Sequence, residues 1–178
     1  MEILEVDALC LRVADYKDND KLLTLYGTEK GKFLAVARGC KKSNAKLKYA
    51  ASPLCFGHYY FSAANDRYTL TGCDCYDSFF ALTQDIDKFY CAMTILEFLD
   101  KASVENEFNK DLFVISVDFL RKLAYETLDC KLELFNYFRR AMILLGFKCN
   151  AIKLKDYYNF FANNLDITLN SLKFFFAG

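Results

Sequence analysis

The chain has 178 residues, 54% of them hydrophobic, with 18 Phe, 12 Tyr and no Trp. That length fits one large or two small domains, since domains commonly run to about 100–150 residues, and so apolar a composition excludes long disorder. The 23 basic and 23 acidic side chains cancel, which argues against a uniformly basic polynucleotide binder.

The charge is nevertheless uneven. Residues 1–29 hold three Lys or Arg against seven Asp or Glu, residues 30–48 hold seven against none, and residues 49–178 hold thirteen against sixteen. One short segment therefore carries the whole positive excess.

In chain order, the first 77 residues read as strands. Ala8 to Tyr16 sets Leu9, Leu11 and Val13 on one face, and Leu22 to Gly27 and Phe33 to Ala37 follow, separated by the turn Thr28-Glu29-Lys30-Gly31. Leu54 to Ser62 is rich in aromatics, and Arg67 to Tyr76 alternates Tyr68, Leu70 and Gly72 against Thr69 and Thr71. Gly57 and Gly72 inside strands suggest bulges or barrel corners, and Ala63-Ala64-Asn65-Asp66 reads as a hairpin turn. The longer connection from Lys41 to Pro53 leaves room for a short helix over Asn44–Ala51. Five strands with that insertion fit an OB barrel; strand number alone fits an SH3-like barrel equally.

From Ser78 the period becomes helical. Phe89, Met93, Leu96 and Leu99 form one stripe. Asn109 is placed to cap a second helix whose buried side holds Leu112, Phe113, Ser116, Phe119, Leu120 and Leu123. A third helix runs from about Lys131 to Leu145 and stops at Gly146, a natural residue just past a helix end. Two shorter helices are expected near Leu154–Ala162 and Thr168–Ala177. The expected architecture is thus α+β in two domains: a five-stranded barrel over 1–77 and an all-α helical domain over 78–178.

Readings that place enzymatic chemistry on this chain are weak. The one histidine, His58, lies in the fourth strand between Gly57 and Tyr59 with no partner evident, and Asp18/Asp20 and Asp85/Asp87 read as solvated turns and helix starts. Gly27 to Gly31 lacks the Gly-Lys-Ser/Thr ending of a phosphate loop. Cys73 and Cys75 share a strand face, but zinc would need two more ligands and no Cys-x-x-Cys pair is present. No catalytic residue, metal or cofactor is expected. The eight cysteines (Cys10, Cys40, Cys55, Cys73, Cys75, Cys91, Cys130, Cys149) sit mostly in apolar runs, and Met1-Glu2-Ile3-Leu4-Glu5 has no signal-peptide layout. They are expected to be free thiols in a reducing cytoplasm. No apolar run approaches the ~18 residues of a membrane span.

The strongest functional signal is the acid-free run from Lys30 to Lys48. Lys30 and Lys32 flank the start of a strand, Arg38, Lys41 and Lys42 cluster at its end, and Lys46 and Lys48 follow in the connection. With Arg12 and Lys17 they are expected to form one cationic barrel rim that tracks phosphates by releasing condensed counterions. Tyr26 and Phe33 are candidates for base stacking if they face outward. A solvated charge run in a surface loop is the simpler alternative. In the helical part, Arg121, Arg139 and Arg140 are candidate acceptors for an acidic, hydrophobic tail peptide.

Two stretches carry a family resemblance. Residues 8–26, beginning Ala8-Leu9-Cys10-Leu11-Arg12 and ending Leu22-Leu23-Thr24-Leu25-Tyr26, are similar to the opening of the RecO family, and Gly31-Lys32-Phe33-Leu34-Ala35-Val36-Ala37-Arg38-Gly39-Cys40-Lys41-Lys42-Ser43 resembles its next motif. Tyr137 to Phe147 looks like a helical segment of the same family, with Arg140 on its arginine and Phe138 where the family has a glutamate. The resemblance implies an OB fold and a cytoplasmic, nucleoid-associated mediator without catalytic activity. Such a protein binds single- and double-stranded DNA, anneals complementary strands, engages the C-terminal tail of single-strand-binding protein, and works with RecR to load recombinase. Many family members carry a four-cysteine zinc module after the Leu-Leu-Gly segment. Here only Cys149 follows Gly146, so no zinc module and a shortened helical domain are expected. A protein-protein adaptor with weak DNA binding and an RNA-binding OB protein are the alternatives.

Overall fold

The computed structural model describes residues 2–65 and 67–176. They divide into two compact units: one holds the chain to Ser78 together with Ser103–Phe108, the other Phe79–Ala102 and the chain from Asn109 onward.

The first unit is a closed barrel of five strands: β1 (Glu2–Tyr16), β2 (Asp20–Gly27), β3 (Gly31–Ala37), β4 (Phe56–Ala64) and β5 (Arg67–Asp77). The order around the barrel is β1-β2-β3-β5-β4, closing back on β1. That order, with β3 and β5 parallel through only Ala35↔Tyr68 and Val36↔Thr69, is the OB barrel, and the SH3-like alternative falls away. β1 starts six residues earlier than its alternation suggests, because it serves two neighbours. Its first half pairs with β4 (Glu2↔Ala63 to Leu9↔Phe56) and its second with β2 (Ala8↔Gly27 to Tyr16↔Asp20).

The register of β1 shifts between Cys10 and Arg12. A bulge resets the two-residue period, so the inward residues are Val6, Ala8 and Cys10, with Val13 packed on the same core. Leu9 and Leu11 are also buried, but on the other face, which corrects the single stripe of Leu9, Leu11 and Val13. In β4 and β5 the register shifts fall at Phe56/Gly57 and between Tyr60 and Phe61, opposite Gly72 and Leu70, as the two glycines suggest. Leu23, Leu25, Phe33, Ala35, Tyr59, Phe61, Leu70 and Cys73 complete the interior, with Phe33 edge-on to Phe61 at 5.5 Å.

The segment Ser103–Phe108 returns to the barrel at the β2–β3 hairpin. Asn106 N donates to Lys32 O (3.0 Å), and the Phe108 ring lies 5.9 Å from that of Tyr26. Gly31, with φ +72°, leaves the room this needs: a Cβ there would stand 2.2 Å from the Glu107 carbonyl oxygen.

The second unit has four helices: α1 (Ile86–Ala102), α2 (Lys110–Tyr125), α3 (Cys130–Leu144) and α4 (Leu154–Asn164). In α1 the buried side is wider than a stripe: Cys91, Ala92, Thr94, Ile95, Leu96, Phe98 and Leu99 are buried, and Phe89 and Met93 only half so. In α2 every residue expected inside is buried, and the Asn109 side chain accepts from Leu112 N (3.0 Å). α3 ends where Gly146 N donates to Ile143 O and Phe147 N to Met142 O, the paired bonds of a Schellman motif. The region after Thr168 forms a short 3₁₀ turn, Ser171–Phe175, tied by Glu97 accepting from Asn170 N and Ser171 N. Asn44–Ala51 forms turns and no helix. Asp66 and Ala177, which the expected hairpin turn and last helix include, lie outside the described residues. Among the described residues no helix is long and apolar enough to cross a membrane.

The outer surface of β1, β4 and β5 carries an acidic cluster around His58. Its Nδ1 is 2.7 Å from Asp7 Oδ1 and its Nε2 3.7 Å from Glu5 Oε2. Tyr76 donates to Asp7 Oδ1, and Tyr60 donates to Asp74 Oδ2. The hydrogen bond to Asp7, with Glu5 beside it, raises the His58 pKa above its ordinary value.

Two outcomes follow from this fold. Gly31→Ala must hold a left-handed backbone and displace Glu107, so its urea midpoint should fall by the equivalent of about 2 kcal/mol or more. Gly39→Ala, also at positive φ but with nothing within 4 Å, should lose about 1 kcal/mol; equal losses would show that the return segment is not packed on the hairpin. A raised folded pKa means that His58 stabilises the fold fully below its unfolded pKa of about 6.5 and loses that contribution as pH rises through the folded value. Denaturation midpoints from pH 5 to 9 should therefore show wild type losing stability relative to His58→Gln across that window, and parallel curves would refute the assignment.

Candidate nucleic-acid interface

Alternation along β3 decides which of its residues meet solvent. Phe33, Ala35 and Ala37 point into the core, which leaves Lys32, Leu34, Val36 and Arg38 on the outer side. Leu34 is 45% exposed. Arg12 pairs with Thr24, which pairs with Leu34, so Arg12 joins this outer face level with the middle of β3.

The expected single rim resolves into two groups. Lys30 and Lys32 stand at the β2–β3 hairpin, and Arg38 stands at the other end of β3, about 20 Å from Lys32 at ~3.3 Å per residue. A seven-residue strand cannot bring its two ends together. At the hairpin, Lys30 Nζ lies 4.9 Å from the centre of the Tyr68 ring, and Lys32 is half-buried with its carbonyl taken by Asn106.

The larger group gathers at the opposite end, where the β1–β2 turn meets the exit of β3. Gly39 N donates to Asp20 Oδ1 (2.8 Å) and Lys41 N to Asn19 O (3.1 Å). Lys41 Nζ donates to Lys17 O (3.3 Å) and lies 3.2 Å from Asp15 Oδ2. Lys41 is thus committed to joining the turn and the loop, and its charge is largely matched by Asp15. Lys17, Arg38 and Lys42 are exposed there, and Lys17 Nζ stands 5.4 Å from the ring centre of Tyr16.

The loop from Arg38 to Cys55 then packs on the barrel core. Cys40, Ala50, Ala51 and Cys55 enter the core cluster with Leu47 packed against it, while Lys42, Lys46, Lys48 and Tyr49 remain exposed. Three side chains hold the loop by its carbonyls or from it. Lys21 Nζ donates to Ala51 O (3.2 Å), Tyr59 OH to Ala50 O (3.1 Å), and Tyr49 OH to Cys73 O (2.6 Å). Lys21, outside the acid-free run, is a structural cation that holds the loop.

The expected stacking residues are not free to stack. Tyr26 is 1% exposed and packs against Phe108, and Phe33 lies in the core. The aromatic faces beside the cations are instead Tyr16 and Tyr49, 39% and 46% exposed. Strand-end and loop aromatics next to lysines were the signal available for them.

In the helical unit, Arg121, Arg139 and Arg140 are all exposed, but they do not form one acceptor. Arg140 alone of the three lines a groove of about 340 Å³ with Asp111, Val114, Ile115, Ile143 and Leu144. Arg139, the next residue on α3, turns away by about 100°, toward Tyr157.

Comparison with known proteins matches residues 1–79 to the family described as recombination protein O N terminal. The DNA repair protein RecO of Clostridium novyi is 34% identical over 131 residues, covering 71% of this chain and 50% of that protein. Its counterpart from Clostridium perfringens is 30% identical over 132 residues, 74% of this chain and 54% of the relative. That from Bacillus pumilus is 29% identical over 146 residues, 82% and 57%. The chain spans about half the length of the curated relatives it matches.

Proposed function

The chain belongs to the RecO family, and on that footing we propose that it is a DNA repair and recombination protein that binds single- and double-stranded DNA and anneals complementary strands. In this reading it works in the cytoplasm at the nucleoid, without a catalytic step or a bound cofactor. With RecR it helps load recombinase onto gaps coated with single-strand-binding protein.

The observation that supports the reading is the cationic barrel end: Lys17, Arg38, Lys42, Lys46 and Lys48 exposed around Tyr16 and Tyr49. Ammonium and guanidinium groups there replace the counterions condensed on phosphates, and the released ions supply favourable entropy. Two exposed rings offer stacking surfaces that suit unpaired bases of any sequence. Annealing needs nothing more elaborate. Two phosphate backbones repel each other, a surface cationic enough to hold both lowers that cost, and base pairing then provides the free energy. The groove at Arg140, with exposed Val114, Ile143 and Leu144, supports a second contact, in which an acidic, apolar tail such as that of single-strand-binding protein sets its carboxylate on the guanidinium.

The test is fluorescence anisotropy and strand annealing across a salt series. Replacing Lys42 and Lys46 by Glu should weaken binding to every sequence and flatten the log–log salt slope by about 0.7–0.9 for each phosphate no longer neutralised. Replacing Lys30 by Glu at the far end should change binding less. Unchanged affinity and slope in the Lys42/Lys46 variant would overturn the assigned surface. A preference for RNA over DNA of equal length would turn the reading toward the RNA-binding alternative.

A further inference from the structure

The loop end that packs on the barrel brings cysteines together. Cys55, the last residue before β4, places its Sγ 3.7 Å from Cys75 Sγ on β5, and Cys73 lies two residues earlier on the same strand. The three differ in access: Cys55 is 2% exposed and Cys73 7%, whereas Cys75 is open to solvent. A sulfur pair at van der Waals distance, with one member buried and one accessible, is the arrangement in which an outer thiol meets an oxidant and an inner thiol resolves the product. We propose that Cys55 and Cys75 form a reversible disulfide site, loaded from solvent through Cys75 by a low-molecular-weight disulfide.

The exchange balances in two steps. The Cys75 thiolate attacks one sulfur of the small disulfide, the S–S bond breaks, and one small thiolate leaves. The Cys55 thiolate then attacks the Cys75 sulfur of the mixed disulfide, forming Cys55–Cys75 and expelling the second small thiolate. Two protein thiols are oxidised, one small disulfide is reduced to two thiols, and the two protons go with them.

The surroundings suit the buried partner. A hydrogen bond from Cys73, with further ones from Tyr59 and Cys75, holds the Cys55 thiol below the ordinary range. Partial burial beside Cys55 pushes Cys75 up to about 11. The lowered Cys55 thiol favours the thiolate that the second, resolving step needs, and the open position of Cys75 lets its proton pass to solvent for the first. Cys91 and Cys130, also in side-chain contact, differ in that burial raises the pKa of both thiols and Cys91 donates to the Cys130 carbonyl oxygen (3.3 Å). A closed Cys55–Cys75 bond would clamp the β4 end of the loop bearing Lys42, Lys46 and Lys48 to β5. The site itself stands whether or not that loop binds nucleic acid.

The experiment treats the folded full chain with glutathione disulfide and reads intact mass and peptide linkage. Wild type should lose two hydrogens, and digestion that cleaves before Asp74, separating Cys73 from Cys75, should recover a peptide joining Cys55 to Cys75. Dithiothreitol should reverse it. Cys75→Ser should abolish the two-hydrogen loss, and Cys91→Ser should retain it. No loss in native wild type, a link from Cys55 to Cys73, or an unchanged loss in Cys75→Ser would each overturn the proposal.

Discussion

The first unit depends on how one end of its barrel is closed. Five short strands enclose a core of Leu23, Leu25, Phe33, Tyr59 and Phe61, and such a core must be covered where the strands run out. The loop between β3 and β4 does this with small and apolar residues, Cys40, Ala50, Ala51 and Cys55. Small side chains let the backbone come close, and that brings its carbonyls into a place where they need donors. Lys21 and Tyr59 supply them from within the barrel wall. The remaining side chains of the loop have one direction left, and those are Lys42, Lys46, Lys48 and Tyr49. The cationic surface is therefore a consequence of the closure: the same backbone path that buries Ala50 and Ala51 presents the lysines.

Much of this was legible in the sequence, for local reasons. α2 was readable because its apolar period and its Asn109 cap agree, and the Schellman end of α3 because Gly146 sits where a left-handed residue is required. The strands were readable from alternation until a bulge intervened, as between Cys10 and Arg12. What escaped was non-local. Nothing in Ser103–Phe108 announces that it lies on the β2–β3 hairpin, yet that packing explains both Gly31 and the burial of Tyr26. The early start of β1 escaped because residues 2–7 pair with a strand more than fifty positions away. The cationic run is plain in the sequence, but sequence adjacency conceals that a strand carries its two ends to opposite rims.

The helical unit shows how a departure from a family pattern is absorbed. Phe138, at the position where the family resemblance leads one to expect a glutamate, is fully buried, with Phe98 at 5.4 Å and Phe161 at 5.1 Å. Tyr137 beside it keeps its hydroxyl satisfied by Ser116, whose own Oγ donates to Leu112 O. A buried carboxylate would need comparable partners or a proton; an aromatic ring needs only neighbours, and three helices and the chain around them provide rings.

A chain of zero net charge can still present a strongly cationic surface, and the distances decide it. At physiological ionic strength, exposed charges are screened beyond about 8 Å, so Glu5 and Asp7, far along β1 from Tyr16 at ~3.3 Å per residue, subtract little from Lys17 and Arg38, whereas Asp74 adjoins Cys73, whose carbonyl accepts from Tyr49 OH, and is itself engaged by Tyr60 OH. The acids that are close are already engaged: Asp20 accepts from Gly39 N, and Asp15 pairs with Lys41. By taking up one lysine and one backbone donor, they fix the turn and the loop in register and leave Lys17, Arg38 and Lys42 unmatched by those two carboxylates. The same screening separates the Lys30/Lys32 hairpin from this end by more than two screening lengths at roughly 20 Å, so on any polyanion the two groups would act as independent contacts rather than as one field. A strand long enough to bridge them would lie along Lys32, Leu34, Val36 and Arg38, passing level with Arg12, which gives the outer face of β3 a direction without requiring the whole protein to be basic.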